Sequence, residues 1–116
     1  VGKIFLYQMV IETSMKWNGK KNIGFVAGAT NPKYLKSIRK YAPTVPLLVP
    51  GVGAQGGSVK AAVQYGCDLK GEMAIINVSR SILYASGGED FAESARREAT
   101  RIRDEINFWR EKFFKR

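Results

Sequence analysis

Apolar residues recur every three or four positions through the longer stretches of this chain and run together in three short ones. That contrast predicts its elements. Leu6, Val10, Thr13 and Trp17 step 4-3-4 and predict an amphipathic helix over Ile4–Trp17. Asn18-Gly19-Lys20-Lys21-Asn22 stops it, with Gly19 suited to a left-handed C-terminal position. Ile23–Ala27 is a short apolar run and reads as a buried strand, followed by a Gly28-Ala29-Thr30 loop. Asn31-Pro32 opens the next helix, with Asn as cap and Pro at the first helical position. Leu35, Ile38 and either Tyr41 or Ala42 face inward there, and Pro43 ends it. Pro46–Val49 is a second strand, and its unbroken apolar run predicts burial on both faces. Ser58–Tyr65 is a short helix with Val59, Ala62 and Val63 inward, closed by Gly66. Met73–Val78 is the third strand, and Ile82-Leu83-Tyr84 continues from its loop as a helical turn. After Gly87-Gly88 a long helix runs from about Asp90 to Phe114, its inward face drawn by Phe91, Ala95, Ala99, Ile102, Ile106, Trp109 and Phe113.

The order α-β-α-β-α-β-α implies an α/β fold with parallel strands and right-handed crossovers. Three strands form a small open sheet with an exposed edge and cannot close a barrel by themselves. No internal repeat, low-complexity stretch or linker divides residues 1–116, so they form part or all of one domain.

Composition narrows the chemistry. The chain contains no histidine, which excludes His-based triads and His-ligated metals, and Cys67 is its one cysteine, so no internal disulfide forms. A reducing, cytoplasmic setting is the default expectation. No run approaches the ~18 apolar residues of a membrane span. The start at Val1, without a signal-like segment, suggests a piece of something longer. The net charge of +9 invites a nucleic-acid reading, so its location matters. Residues 1–40 carry eight basic groups against Glu12 alone, residues 41–90 are near neutral, and residues 91–116 carry eight basic against five acidic. The excess sits on helix surfaces and turns, and the aromatics keep core spacing without interleaving the lysines. A solvated basic surface is the reading, and neither nucleic acid nor membrane is expected as a partner.

The candidate chemistry lies in two loops. Leu47–Val49 empties into Pro50-Gly51-Val52-Gly53-Ala54-Gln55-Gly56-Gly57-Ser58, and the third strand empties into Asn77-Val78-Ser79-Arg80-Ser81. The glycines let backbone N–H groups approach a ligand, Ser58 can cap the following helix, and Arg80 offers a planar fork suited to phosphate. Gly51-x-Gly53-x-x-Gly56 also matches a dinucleotide fingerprint formally. The acidic ribose-binding residue expected about 20 positions on is absent, because Ile76-Asn77 stands there. A structural tight turn is the bland alternative. A phosphate cradle explains why the next strand ends in Ser79-Arg80, and (β/α)8 barrels hold phosphate on the loops after strands 7 and 8.

Phe25–Thr30, the Val49–Gly57 run ending in PGVGAQGG, and Ile76–Tyr84 together resemble orotidine 5′-monophosphate decarboxylases, from about Asn22 to the final helix. The resemblance implies strands 6–8 and their helices from the C-terminal portion of a (β/α)8 TIM barrel, with 1–116 a fragment of that single domain. It implies that Pro50 lines the pyrimidine pocket, that Gln55 reaches pyrimidine and phosphate, and that Arg80 holds the phosphate dianion. Ser79, a glycine in many relatives, would donate its backbone N–H, and Gly53 and Gly56 would complete the phosphate loop. The family converts orotidine 5′-monophosphate to uridine 5′-monophosphate and CO2 without cofactor or metal, as a homodimer. Its Asp-x-Lys-x-x-Asp array is missing here; Asp68-Leu69-Lys70-Gly71-Glu72 is a near miss entering the strand from the wrong face. No catalytic residue is therefore expected in this segment. Two alternatives remain: another phosphosugar-binding barrel, of the 3-keto-6-phosphogulonate decarboxylase or hexulose-phosphate synthase type, and a stand-alone basic α/β binding module.

Overall fold

Residues 2–114 are described by a computed structural model of the chain. Its elements are α1 (Leu6–Met15), β1 (Phe25–Val26), α2 (Pro32–Tyr41), β2 (Leu47–Val49), α3 (Val59–Gly66), β3 (Ala74–Ile76), α4 (Arg80–Leu83) and α5 (Phe91–Phe113). The three strands are parallel in the order β1-β2-β3, with Phe25, Leu47 and Ala74 in one row and Val26, Leu48 and Ile75 in the next. Parallel neighbours in chain order follow from the alternation of strands and helices, which returns the chain to the same end each time.

The core lies on one side of this sheet. Leu47 and Val49 of β2 meet Leu35 of α2 and Val63 of α3, all four fully buried. Each such side chain contributes about 1.5–3 kcal/mol over its exposed state. The expectation that β2 is buried on both faces is corrected. Leu48 is 39% exposed, and its row-mates Val26 and Ile75 are 71% and 60% exposed, because no described element packs against that face.

Helix faces also differ in detail from the periodic reading. In α1 the buried residue is Ile11, flanked by half-buried Tyr7 and Met15, and the Tyr7 hydroxyl donates to Ser37 Oγ of α2 at 3.0 Å. The expected stripe, Leu6, Val10 and Trp17, is exposed on the opposite side. After α1 the left-handed residue is Lys21, at φ 53°, and not Gly19. In α2 the inward residues are Leu35, Ile38 and Ala42, joined unexpectedly by Arg39. Ser58 caps α3 as expected, its Oγ accepting the Ala61 N–H at 3.2 Å. In α5 the stripe holds from Ile102 onward through Ile106, Trp109 and Phe113, but Phe91 is exposed and Ser94 takes the inward place. Phe91, the apolar position chosen for α5's first turn, is thereby displaced by a small polar residue that hydrogen-bonds Asp90.

Candidate functional site

Three loops leave the C-terminal ends of the strands and meet. The loop after β1 joins the loop after β2 where Ala29 N–H donates to Pro50 O at 2.8 Å. The β2 loop then closes on itself. Gly57 N–H donates to Gly51 O at 2.9 Å, Gly53 N–H to Gly57 O at 3.0 Å, and Gly56 N–H to Gly53 O at 2.8 Å. Gly51, Gly53 and Gly56 take φ of 93°, 84° and 89°, the left-handed region that side chains disfavour. A Cβ on Gly57 would run into Gly51 O, so the lasso closes only with glycine there.

This internal bonding sorts the loop's amides into two groups. The N–H groups of Gly53 and Gly56 are spent inside the loop, so these residues shape it. No hydrogen bond joins the amides of Ala54 or Gln55 to another described residue, and the same holds for the amides of Ser79 and Arg80 at the start of α4. Those four residues line one small cleft of about 50 Å³ together with Pro50, Gly51, Val52 and Asn77. Pro50, Gln55, Ser79 and Arg80 are thus brought together; Gly53 and Gly56 stand behind the cleft and not in its wall. The Arg80 side chain is exposed and forms no ion pair or hydrogen bond among the described residues. A cleft with two unspent amides from each loop and an unspent guanidinium can take an anion by charge-assisted hydrogen bonds.

Asn77 is the wall residue that sequence reasoning missed. It stands just past the end of β3, where a dinucleotide site would need a ribose-binding carboxylate and this chain has an amide. Its position two residues before Ser79-Arg80, in the same loop, was the available signal.

A much larger cavity, about 840 Å³, lies at the other end of the strands and includes Lys33, Lys36, Lys40, Tyr65, Cys67 and Asp68 in its wall. Size does not decide between the two. The buried guanidinium on its floor, Arg39, has its donors taken by carbonyls of Ala42, Val45, Gly66 and Met73. Asp68 Oδ1 accepts the N–H groups of Lys70 and Glu72, each at 2.9 Å, so the Asp68–Glu72 segment is a tight turn before β3. Among the described residues no group of three or more acidic, histidine or cysteine side chains is placed to hold a metal ion. No described helix is long and apolar enough to cross a membrane.

No family model matches the chain. Individual proteins do. An orotidine 5′-phosphate decarboxylase of Dehalococcoides mccartyi is 47% identical over 111 residues, which is 96% of this chain and 41% of the relative. The enzyme of the same name from Flavobacterium johnsoniae is 46% identical over 101 residues, 87% of this chain and 37% of its own length. Among solved structures, Leishmania donovani OMP decarboxylase superposes with a TM-score of 0.79 at 39% identity, covering 95% of this chain and 40% of that one. Leishmania donovani UMP synthase gives 0.74 at 40% identity, covering 93% and 24%. The chain spans about two fifths of the length of the curated relatives it matches. In sequence and in fold alike, it is homologous to a stretch of the orotidine 5′-phosphate decarboxylases.

Proposed function

We propose that this chain supplies the phosphate- and pyrimidine-binding part of an orotidine 5′-monophosphate decarboxylase, as strands 6–8 and their helices in the C-terminal portion of one (β/α)8 barrel. The observation that carries the proposal is the convergence of Pro50, Gln55, Ser79 and Arg80 on one cleft at the C-terminal ends of β2 and β3. Arg80 holds the phosphate dianion, with the Ser79 N–H beside it. Gln55 reaches from phosphate to pyrimidine, Pro50 lines the ring, and Gly53 and Gly56 hold the loop in shape. A cleft of about 50 Å³ admits a phosphate group and no base. The ring therefore extends out of this cleft past Pro50 and Gln55, above the C-terminal ends of the strands.

In this reading orotidine 5′-monophosphate loses CO2 and the ring carbanion takes a proton from a lysine outside this chain, giving uridine 5′-monophosphate with no cofactor. The residues here act at a distance from that carbon. Each charge-assisted hydrogen bond to phosphate contributes about 1.5–3 kcal/mol, which can be directed to the transition state as well as to affinity. The same reading makes the whole enzyme a cytoplasmic homodimer. The exposed Val26, Leu48 and Ile75 row supports a partial barrel over a complete stand-alone module.

Competition between uridine 5′-monophosphate and ribulose 5-phosphate tests the substrate class, read by titration calorimetry on the chain. Preference for the nucleotide is expected, because Gln55 has a ring to contact. Equal affinity for the two would move the assignment to a phosphosugar barrel, and binding of neither would remove the phosphate cleft.

A further inference from the structure

The two loops of the cleft meet behind its wall, where a Cβ on Gly53 would lie against Ser81 and, 3.9 Å away, Val78 Cγ1. Ser81, the residue after Arg80 on α4, has its Oγ buried with no hydrogen-bond partner among the described residues. It faces Gly53: a Cβ built there would lie 2.8 Å from Ser81 Oγ and 3.7 Å from Ser81 Cβ. Gly53 is the pivot of the glycine loop. Its N–H is bound to Gly57 O and its carbonyl to Gly56 N–H, and the chain from it leads directly to Ala54 and Gln55. One side therefore presents a side chain and the other presents none, and the fit sets the gap between the loops.

We propose that Ser81 is a positioning residue, the spacer that sets how far Gln55 and the Ala54 and Gln55 amides stand from the Arg80 guanidinium. The inference rests on the phosphate cleft proposed above and adds to it a residue that touches no ligand. A buried hydroxyl without a partner destabilises a fold, so stability alone would favour alanine at this position. Serine is the size that holds the loops at their present separation. Threonine adds a methyl group against Gly53 and pushes the glycine loop outward, and glycine or alanine lets it settle inward. A phosphate that must meet donors from both loops is sensitive to either shift, because hydrogen bonds weaken steeply outside a narrow range of distance and angle.

The test is a set of variants of the full chain, each titrated with uridine 5′-monophosphate and with inorganic phosphate and melted without ligand. Ser81→Ala should melt no lower than the parent and yet bind the nucleotide at least threefold more weakly, and Ser81→Cys, whose sulfur reaches further and is larger than the hydroxyl oxygen, should also lose threefold or more. Ser81→Thr should lose about tenfold. Gly53→Ala should also lose about tenfold, and adding Ser81→Gly to it should recover threefold or more. The strain of alanine at a positive φ is common to both members of that pair and cancels. Affinity that follows melting temperature across the set would overturn the proposal, as would Gly53→Ala showing no recovery with Ser81→Gly. A parent chain that binds neither probe would remove the cleft and this inference together; a parent that binds, with independent effects at 53 and 81, would remove the inference alone.

Discussion

Two arginines sit at opposite ends of the same strands and are treated in opposite ways. Arg39 is buried at the N-terminal end. Its Nη1 donates to Ala42 O and Val45 O at 2.8 and 2.7 Å, its Nε and Nη2 to Gly66 O at 2.9 and 2.5 Å, and its Nη2 to Met73 O at 3.0 Å. Arg80 stands exposed at the C-terminal end with no partner among the described residues and with unspent amides around it. The same guanidinium, with five donors in a fixed fork, is a staple where carbonyls use the donors and a binding group where nothing does. What marks a candidate site here is donors left over, and not cavity size or positive charge.

The largest effect is expected at the staple. Arg39→Met keeps the length of the side chain but leaves carbonyls of α2, α3 and the entry to β3 short of a donor. A loss of about 3 kcal/mol or more in unfolding free energy is expected. A urea midpoint that falls with an unchanged slope would measure it. Arg39→Lys should recover only a part, since an ammonium cannot span the same fork of carbonyls. A loss below about 1 kcal/mol would mean that water replaces the guanidinium, and the contrast with Arg80 would collapse.

At the other end the same truncation should leave the fold alone. Arg80→Ala should move stability by no more than about 0.5 kcal/mol, as for an exposed side chain without partners. Affinity for uridine 5′-monophosphate should fall by about 1.5–3 kcal/mol, on the order of 10- to 150-fold. Arg80→Lys should retain a fraction of it as a point charge. An Arg80→Ala protein that unfolds more easily and binds as before would exchange the roles of the two residues.

Much of this arrangement was legible in the chain, and the failures have physical causes. The β2 loop and Arg80 fall at the same end of the sheet because strand, helix and strand alternate, which any parallel connection enforces. Arg39 was overlooked because lysines surround it in sequence. The signal was there, since it shares a helix face with Leu35 and Ala42, and a lone guanidinium on an apolar face must find carbonyls or carboxylates. Helix α1 carries two apolar stripes, one through Tyr7, Ile11 and Met15 and one through Leu6, Val10 and Trp17. Periodicity draws both equally, and only the presence of α2 selects the first. The apolar run of β2 likewise cannot tell a covered face from a bare one. Which amides of the glycine loop remain unspent depends on bonds within the loop, which no spacing displays: Gly53 and Gly56 donate inside it, and Ala54 and Gln55 do not.

Burial beside the staple also sets a dependence on pH. Burial pushes the Cys67 thiol up to about 11 from an ordinary value of 9.0, with the nearby Arg39 guanidinium acting against the rise and Asp68 adding to it. The folded state therefore favours the protonated thiol. That contribution is fully present below pH 9.0 and is lost as the pH climbs through about 11. Urea midpoints at pH 8 and pH 10.5 should differ less in Cys67→Ala than in the parent. Arg39→Met should raise the thiol further, since it removes the cation that acts against the rise.

A third arginine completes the contrast with the smallest expected effect. Arg101 on α5 has its donors engaged like those of Arg39, by Glu98 at 2.7 and 3.0 Å and by Glu105 at 3.2 Å, but it lies in water like Arg80. Its hydrogen bonds to Glu98 come first among the causes that hold its own proton more tightly than usual, and the Arg101 hydrogen bond holds the Glu98 carboxyl below its ordinary range. Even so, its side chain is 59% exposed, where solvent and salt screen the pairing. Arg101→Ala should cost no more than about 0.5 kcal/mol and should cost nothing measurable in 1 M salt. If it destabilised the chain as much as Arg39→Met, engagement of donors alone would explain the staple, and burial would have no part in it.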